Sequence, residues 1–284
     1  MDQLNCFSLT TEGHIAHLVM NRPEAMNTMH PTFWRELHEV LTEIHKAGTA
    51  RALVISSTGK HFSAGHDIGT PGRDINKPFE RQSLWWDHTN KPGAEQLFVR
   101  EQEVYLGMCR RWHDLPKPTI AMVHGACIAG GLMLAWVCDM IVASEDAFFQ
   151  DPVVRMGIPG VEYFAHVHEL NPRIAKELLF LGERMAADRA YMMGMVNRVV
   201  PREDLQTTTY DIAARIAKQP RLGLALTKTV INRIEELQGL RTSMDIAFGH
   251  HHFAHAHSQV LGAGHLGGHD AKSMVQANKK DGAA

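Results

Sequence analysis

The stretch from Ile120 to Cys138 constrains the fold most, because His124 is its only strongly polar residue. A helix that crosses a membrane needs about 20 consecutive apolar residues. Three glycines interrupt this stretch, Gly125, Gly130 and Gly131. The pattern therefore predicts a buried strand, a glycine turn and a buried helix rather than a membrane span.

The composition is that of a globular protein. The chain has 284 residues, of which 44% are hydrophobic and 21% charged. The net charge of -2 gives no electrostatic footprint for nucleic acid and no polybasic signal for a membrane surface. The first residues lack the pattern of a signal peptide, and the four cysteines are far apart in sequence. We therefore expect reduced thiols and a cytoplasmic location.

The order of strand and helix signals predicts an α/β core with a largely parallel inner sheet. A hairpin is expected first, then alternating helices and strands. The expected elements are strands at Phe7–Thr10, His14–Met20, Ala52–Ser57, Thr119–Val123 and Met140–Ala143, and helices at Phe33–Ile44 and Glu95–His113. Residues 69–95 have weak periodicity and are interpreted as a long loop.

Helical signals dominate from Pro172 onward. The predicted helices are Ile174–Leu181, Ala187–Met193, Leu205–Lys218 and Leu222–Leu237. We therefore divide the chain into an α/β core, residues 1–200, and a helical C-terminal region, residues 201–284, with a tail rich in histidine and glycine.

Two glycine-containing turns follow two predicted buried strands. One lies in His61–Asp67 and the other at Gly130-Gly131, where a helix begins. Amides at such turns are free of the sheet and can converge on a developing oxyanion, and a helix N-terminus adds positive potential. Ordinary loop turns are the alternative.

The wider sequence resembles the crotonase superfamily, the enoyl-CoA hydratase/isomerase family. The similarity is collinear from about Phe7 to Leu237. Its motifs are Ile15–Pro23, His61–Ile68, His124–Gly131, Cys138–Ala143, Gly157–Gly160 and Ala187–Pro201.

This resemblance implies a spiral of ββα units with a helical trimerisation region, assembled as a homotrimer or a dimer of trimers. It implies an acyl-CoA substrate from fatty acid metabolism and no tightly bound cofactor, with coenzyme A entering as part of the thioester. The implied oxyanion donors are the amides of Ala64 and Gly130. The implied coenzyme-lining residues are Ala25, Met26, Phe62, Ser63, Ala64 and His66.

The sequence departs from the family where hydratases carry two glutamates. Met133 and Val153 occupy those positions. Neither side chain can transfer a proton, whereas general acid–base catalysis needs a titratable group near the reacting atom. Hydration by the usual glutamate pair is therefore not expected.

Other carboxylates are candidates for the proton transfer. Glu162 lies near a position where other family members carry an aspartate, and a surface or capping carboxylate is the alternative. Asp151 is the second candidate, although a helix cap is its favoured role. His66 is interpreted as a solvent-facing loop histidine, with a position facing the acyl group as the alternative. Cys127 is interpreted as a small core residue.

Many of the 19 histidines come late in the chain. They include His250, His251, His252, His255, His257, His265 and His269. No nearby cysteine or fixed carboxylate completes a structural metal site in the sequence pattern. We expect a solvated tail and no metal.

Two functions remain open. The first is an enzyme that stabilises a thioester enolate and acts as an isomerase, lyase or hydrolase. The second is a non-catalytic acyl-CoA-binding protein that retained the pocket, which the loss of both glutamates favours. RNA binding is disfavoured by the charge balance.

Trp85 and Trp86 are expected to line an acyl pocket or a subunit contact.

Overall fold

The computed structural model describes residues 4–68, 93–262, 267–268 and 273. Trp85, Trp86 and most of the predicted 69–95 loop lie outside these residues. The strands are β1 (Phe7–Glu12), β2 (Ile15–Met20), β3 (Ala52–Ser57), β4 (Thr119–Val123), β5 (Ala126–Ile128), β6 (Met140–Ser144), β7 (Phe148–Gln150), β8 (Met185–Ala186) and β9 (Arg198–Val200).

The α-helices follow the predicted spacing closely in the first two thirds of the chain. They are α1 (Pro31–Lys46), α2 (Ala94–Arg100), α3 (Gly107–His113), α4 (Gly130–Trp136), α5 (His166–Glu169), α6 (Pro172–Leu181), α7 (Ala187–Met192), α8 (Leu205–Ala217), α9 (Arg221–Leu237) and α10 (Leu240–Val260). A π-helical turn, Glu101–Leu106, joins α2 to α3, so the helix predicted over Glu95–His113 is confirmed.

Within the described residues, six strands form the main sheet in the order β1-β2-β3-β4-β6-β9. The pair β1–β2 is an antiparallel hairpin, and every other neighbouring pair is parallel. A smaller sheet contains β5, β7 and β8. The prediction of a largely parallel inner sheet is confirmed. Because β3 and β4 are parallel neighbours, the loops that follow them leave the same edge of the sheet.

Helix α1 shows how local sequence and packing agree. The ring nitrogen Nδ1 of His30 accepts a hydrogen bond from the amide of Phe33 at 3.1 Å, which caps the first turn, and Pro31 occupies the first helical position. Phe33 and Leu37, on one face of the helix, are fully buried. Deleting either large side chain would cost several kcal/mol, on the order of 2–5.

The C-terminal helices differ in what they cover. Helix α8 packs on the sheet, where Leu205 and Ala213 join the cluster that contains Val54 and Ile120. Helix α9 leaves much of its apolar surface exposed. Helix α10 was not predicted, and the interpretation of this stretch as a solvated tail is wrong for His251, because that residue is buried.

No helix in the described parts of the chain combines the length and the apolarity that a membrane crossing requires. This agrees with the interpretation of Ile120–Cys138 as a strand, a turn and a helix.

Candidate functional site

The loops after β3 and β4 are joined by main-chain hydrogen bonds. The amide of Phe62 donates to the carbonyl of His124 at 2.9 Å, and the amide of Ser63 donates to Ala126 at 3.1 Å. The amide of Ile128 returns a bond to the carbonyl of Ser63 at 3.0 Å. The two glycine-containing turns that the sequence singled out therefore form one structural unit.

The prediction that Ala64 supplies an oxyanion amide is wrong. Its N–H donates to the carbonyl of Met26 at 3.0 Å, so it is already used within the protein. Among the described residues, the amides of His66 and Gly130 have no such acceptor. The pair of free amides is therefore His66 and Gly130, two residues further along the first loop than expected.

Tight contacts between the loops explain why glycines are needed. Gly65 has φ of +88°, and a Cβ there would lie 2.8 Å from the carbonyl oxygen of Ile128 and 2.9 Å from the nitrogen of Gly130. A Cβ on Gly131 would lie 2.5 Å from the carbonyl oxygen of Ser63. The absence of side chains lets the two main chains approach each other closely.

Ala129 sets the direction of the Gly130 amide. It adopts a left-handed φ of 50°, which is strained for alanine, and immediately precedes α4. Its own amide donates to the carbonyl of Gln150 at 2.8 Å, and its carbonyl accepts from Leu132 at 2.8 Å. The strained residue is therefore held on both sides by main-chain hydrogen bonds, immediately before the amide of Gly130.

Glu162 contacts the side chain of His66, the residue that carries one of the free amides. Its Oε2 is 3.0 Å from Nε2 of His66, and both side chains are largely buried, at 5% and 17% exposure. The same imidazole edge would lie 3.2 Å from a Cβ on Gly130. The structure thus brings together Glu162, His66 and Gly130, three residues that the sequence analysis named separately.

His66 is not the solvent-facing residue that was expected. Its ring lies 4.5 Å from that of Tyr105 and 6.2 Å from that of Trp34, measured between centroids. These aromatic neighbours fix the imidazole so that one nitrogen faces the Glu162 carboxylate. The sequence signal that could have identified His66 is its position immediately after Gly65, the residue whose missing side chain permits the close approach.

The charge state of Glu162 follows from two opposing effects. Burial alone would raise its pKa, but the positive charge of His66, the hydrogen bond from His66 and the charge of His251 lower the pKa below its ordinary value. The carboxylate is therefore ionised at neutral pH and can accept a proton.

Asp151 has a different environment. One carboxylate oxygen accepts from the amide of Val153 at 3.3 Å, and the other lies 2.7 Å from Nε2 of His166. Asp151 and His166 are both completely buried. Both oxygens are thus engaged inside the protein. The N-cap of the following 3₁₀ turn, Val153–Met156, is Pro152 and not Asp151, so the helix-capping role favoured by the sequence is not confirmed.

The two positions at which the family resemblance implied catalytic glutamates carry buried apolar side chains. Met133 is fully buried in α4, and Val153 is 5% exposed. Both belong to the main hydrophobic core. Cys127 is also fully buried, and burial raises the pKa of its thiol well above the ordinary value, as expected of a core residue.

Of the six coenzyme-lining residues predicted from the motif, His66 lies beside Glu162, and the other five divide into two groups. Phe62 and Ser63 are completely buried, so their side chains cannot contact a coenzyme. Met26 is half exposed, while Ala25 and Ala64 are partly exposed. The second group lies at the surface beside the paired loops.

A cavity of about 600 Å³ lies elsewhere in the protein. Pro118 and Met140, at the amino ends of β4 and β6, line it together with residues of α9 such as Lys228. Neither His66 nor Gly130 is among its lining residues. This cavity is therefore at the opposite edge of the sheet from the free amides.

The fold and the paired strand-end loops define an α/β protein that presents two free amides beside a buried carboxylate. A sequence profile of the enoyl-CoA hydratase/isomerase family matches residues 10–267. The Mycobacterium tuberculosis protein EchA13, whose assignment as an enoyl-CoA hydratase is itself provisional, is 38% identical over 260 residues, which cover 90% of this chain and 81% of that protein.

Two further comparisons agree. The human mitochondrial Delta(3,5)-Delta(2,4)-dienoyl-CoA isomerase is 34% identical over 226 residues, covering 77% of this chain and 66% of the isomerase. A Mycobacterium smegmatis structure, also provisionally assigned as an enoyl-CoA hydratase, superposes with a TM-score of 0.83 at 36% identity, covering 92% of this chain and 98% of the other. The chain belongs to the enoyl-CoA hydratase/isomerase family and has the crotonase fold.

The contact between the loops yields a test. We expect Gly65→Ala to lower the free energy of unfolding by more than about 1 kcal/mol, because the methyl group meets main-chain atoms and the left-handed φ is strained. Urea denaturation measures the change. Gly223→Ala in α9 is the matched control, since no heavy atom lies within 4 Å of its added Cβ. Equal stability of the two variants would contradict the close approach.

Proposed function

We propose that the protein acts on an acyl-CoA thioester, whose carbonyl oxygen accepts hydrogen bonds from the amides of His66 and Gly130. The observation that carries the proposal is the pair of free amides on two joined loops, with the Glu162 carboxylate 3.0 Å from the imidazole of His66. Amides fixed in this way stabilise the negative charge of an enolate oxygen without reorganisation. The partly exposed Ala25, Met26 and Ala64 would then lie along the coenzyme.

The reaction that this site supports best is movement of a double bond. Glu162 takes a proton from a carbon conjugated to the thioester, and the electron pair moves onto the carbonyl oxygen. The protonated Glu162 then returns the proton to another carbon of the same conjugated system. One ionised carboxylate is sufficient for both transfers, whereas hydration also has to hold and activate a water molecule.

Support for isomerisation comes from the apolar surroundings. Met133 and Val153 remove both groups that would activate water, while the low pKa of Glu162 keeps a base available. The relationship to a dienoyl-CoA isomerase is consistent with this choice. A binding protein without catalysis is the second candidate, because the same two apolar residues would also be compatible with lost activity.

Exchange with solvent tests the role of Glu162 directly. We expect the protein to exchange acidic protons of an enoyl-CoA for deuterium in heavy water, observed by NMR. Glu162→Gln should slow the exchange by about 10²–10⁴-fold, because the positioned base is removed. Binding of a non-reactive thioether analogue of the acyl-CoA should be retained.

The exposed Glu183→Gln is the control for that experiment and should exchange at the wild-type rate. No exchange by the wild type, together with tight binding of the thioether, would support the binding protein instead. Full exchange by Glu162→Gln would exclude Glu162 as the base.

Hydration provides an independent prediction. We expect crotonyl-CoA to be hydrated very slowly or not at all, because two proton-transferring groups are replaced and each typically contributes about 10²–10⁴-fold. Loss of the conjugated thioester absorbance measures the rate. Rapid hydration by the wild type would show that another acid–base pair is present.

We also propose a homo-oligomer, a trimer or a dimer of trimers. Helix α9 exposes an apolar stripe at a spacing of four residues, with Leu226, Val230 and Ile234 each about half exposed. Such a stripe is typical of a surface that contacts another protein. Ile212 and Ile216 of α8, in contrast, pack against the sheet.

Light scattering after size-exclusion chromatography measures this assembly. The wild type should have the mass of three or six chains, and Val230→Asp combined with Ile234→Asp should shift it toward smaller species. Lys46→Asp, an exposed change on α1, should leave the mass unchanged. A monomeric wild type would contradict the proposal.

A further inference from the structure

A second polar cluster lies between α10 and the π-helical turn. His251, His252 and His255 belong to α10, and Glu101 is the first residue of the π turn. Their exposures are 3%, 8%, 5% and 6%, respectively. Three buried imidazoles and a buried carboxylate are costly to desolvate unless something compensates their polar atoms.

The ligand-type atoms of this cluster converge on a small volume. Oε2 of Glu101 lies 3.4 Å from Nε2 of His251, 3.2 Å from Nε2 of His252 and 4.0 Å from Nε2 of His255. The Nε2 atoms of His251 and His255 are 2.9 Å apart. The carboxylate oxygen of Glu101 and the imidazole nitrogens of His251 and His255 thus all lie within 4.8 Å of one another, with His252 beside the carboxylate.

Two polar atoms of this cluster lack a hydrogen bond. Oε2 of Glu101 and Nε2 of His252 are buried, and neither has a hydrogen-bond partner of acceptable geometry within the described part of the chain, although they are 3.2 Å apart. Buried polar atoms are normally satisfied, so an unsatisfied pair on one side of a cluster requires a reason.

The opposite ring nitrogen of His251 is fixed by the main chain. Its Nδ1 lies 2.8 Å from the carbonyl oxygen of Gly160, which cannot donate, so Nδ1 carries the proton. Nε2, on the other side of the His251 ring, therefore faces Glu101 and His255. A histidine that ligates a metal is oriented in the same way, by donating its other N–H to a carbonyl or carboxylate.

We propose that Glu101, His251 and His255 bind a zinc ion, with the fourth position of the tetrahedron left to a water molecule. Zinc prefers imidazole and carboxylate ligands in a tetrahedron with bonds of about 2.0–2.1 Å, which places neighbouring ligand atoms roughly 3.3 Å apart. The three separations among the protein ligand atoms are 3.4, 4.0 and 2.9 Å, within about 0.7 Å of that value. His251 and His255 also have the i, i+4 spacing that places two zinc ligands on one face of a helix.

Binding exchanges a proton for the metal. In the metal-free chain, the Nε2 atoms of His251 and His255 share one proton across their hydrogen bond. Zinc takes the place of that proton, which leaves to solvent. The site then ties α10 to the helix that contains the π turn, and its aromatic walls, Phe98 and Phe248, lie 4.9 and 4.4 Å from the ring of His252.

The test uses the full chain without an affinity tag, stripped with a chelator and titrated with zinc chloride by calorimetry. We expect one tight site per chain and a higher melting temperature with zinc, because the ion binds the folded state. Cobalt(II) in place of zinc should give the visible absorption of a tetrahedral complex. His255→Gln should weaken zinc binding at least about 100-fold, beyond the loss typical of an outer-shell partner.

Exposed histidines on the same helix supply the matched control. The double variant His250→Gln and His257→Gln should keep the tight site, because both residues are exposed on α10. Loss of the site in this double variant but not in His255→Gln would assign zinc to the surface and overturn the proposal, as would the absence of tight binding by the wild type. If circular dichroism shows that His255→Gln is unfolded, Glu101→Gln takes its place, and unchanged affinity in that variant would likewise overturn the proposal.

Discussion

The parallel pairing of β3 with β4 is the constraint on which the site depends. Parallel neighbours release their following loops at the same edge of a sheet, and here those loops continue to pair through main-chain hydrogen bonds. The amides of Phe62 and Ser63 donate hydrogen bonds to the neighbouring loop, and the amide of Ala64 donates to the carbonyl of Met26. The amides of His66 and Gly130, in contrast, have no main-chain acceptor among the described residues and are free to bind another oxygen. A substrate oxygen would complete this hydrogen-bond pattern rather than compete with it.

Periodicity and turn residues predicted the core of the fold well. The strands Ala52–Ser57 and Thr119–Val123 have the predicted bounds, because apolar runs bounded by glycine, proline or polar residues have few alternatives once a sheet is buried on both faces. Helix α10 was missed because histidines occupy much of its buried face, where the helical period is normally marked by apolar residues. The pattern was present in Leu240, Met244 and Phe248, but a histidine is not counted as a core residue.

The candidate site was predicted in part. The two loops and Glu162 could be named from the sequence, since glycine positions and carboxylates are visible there. The identity of the first amide could not, because adjacent residues of a loop differ only in which main-chain acceptor each one meets. The pairing of His66 with Glu162 also depends on a separation of 96 residues along the chain, which no local pattern records.

The π turn between α2 and α3 restricts which insertions and deletions this part of the sequence can accept. Glu101 and Leu106 are five residues apart, and both are buried. In a regular α-helix, each residue advances about 100°, so residues five apart would face directions well separated around the axis. The π turn brings them onto one side, and removing a single residue from it would rotate everything from α3 onward relative to α2. A substitution in this helix changes the packing of one side chain. An insertion or deletion would instead change which residues of α3 face the core.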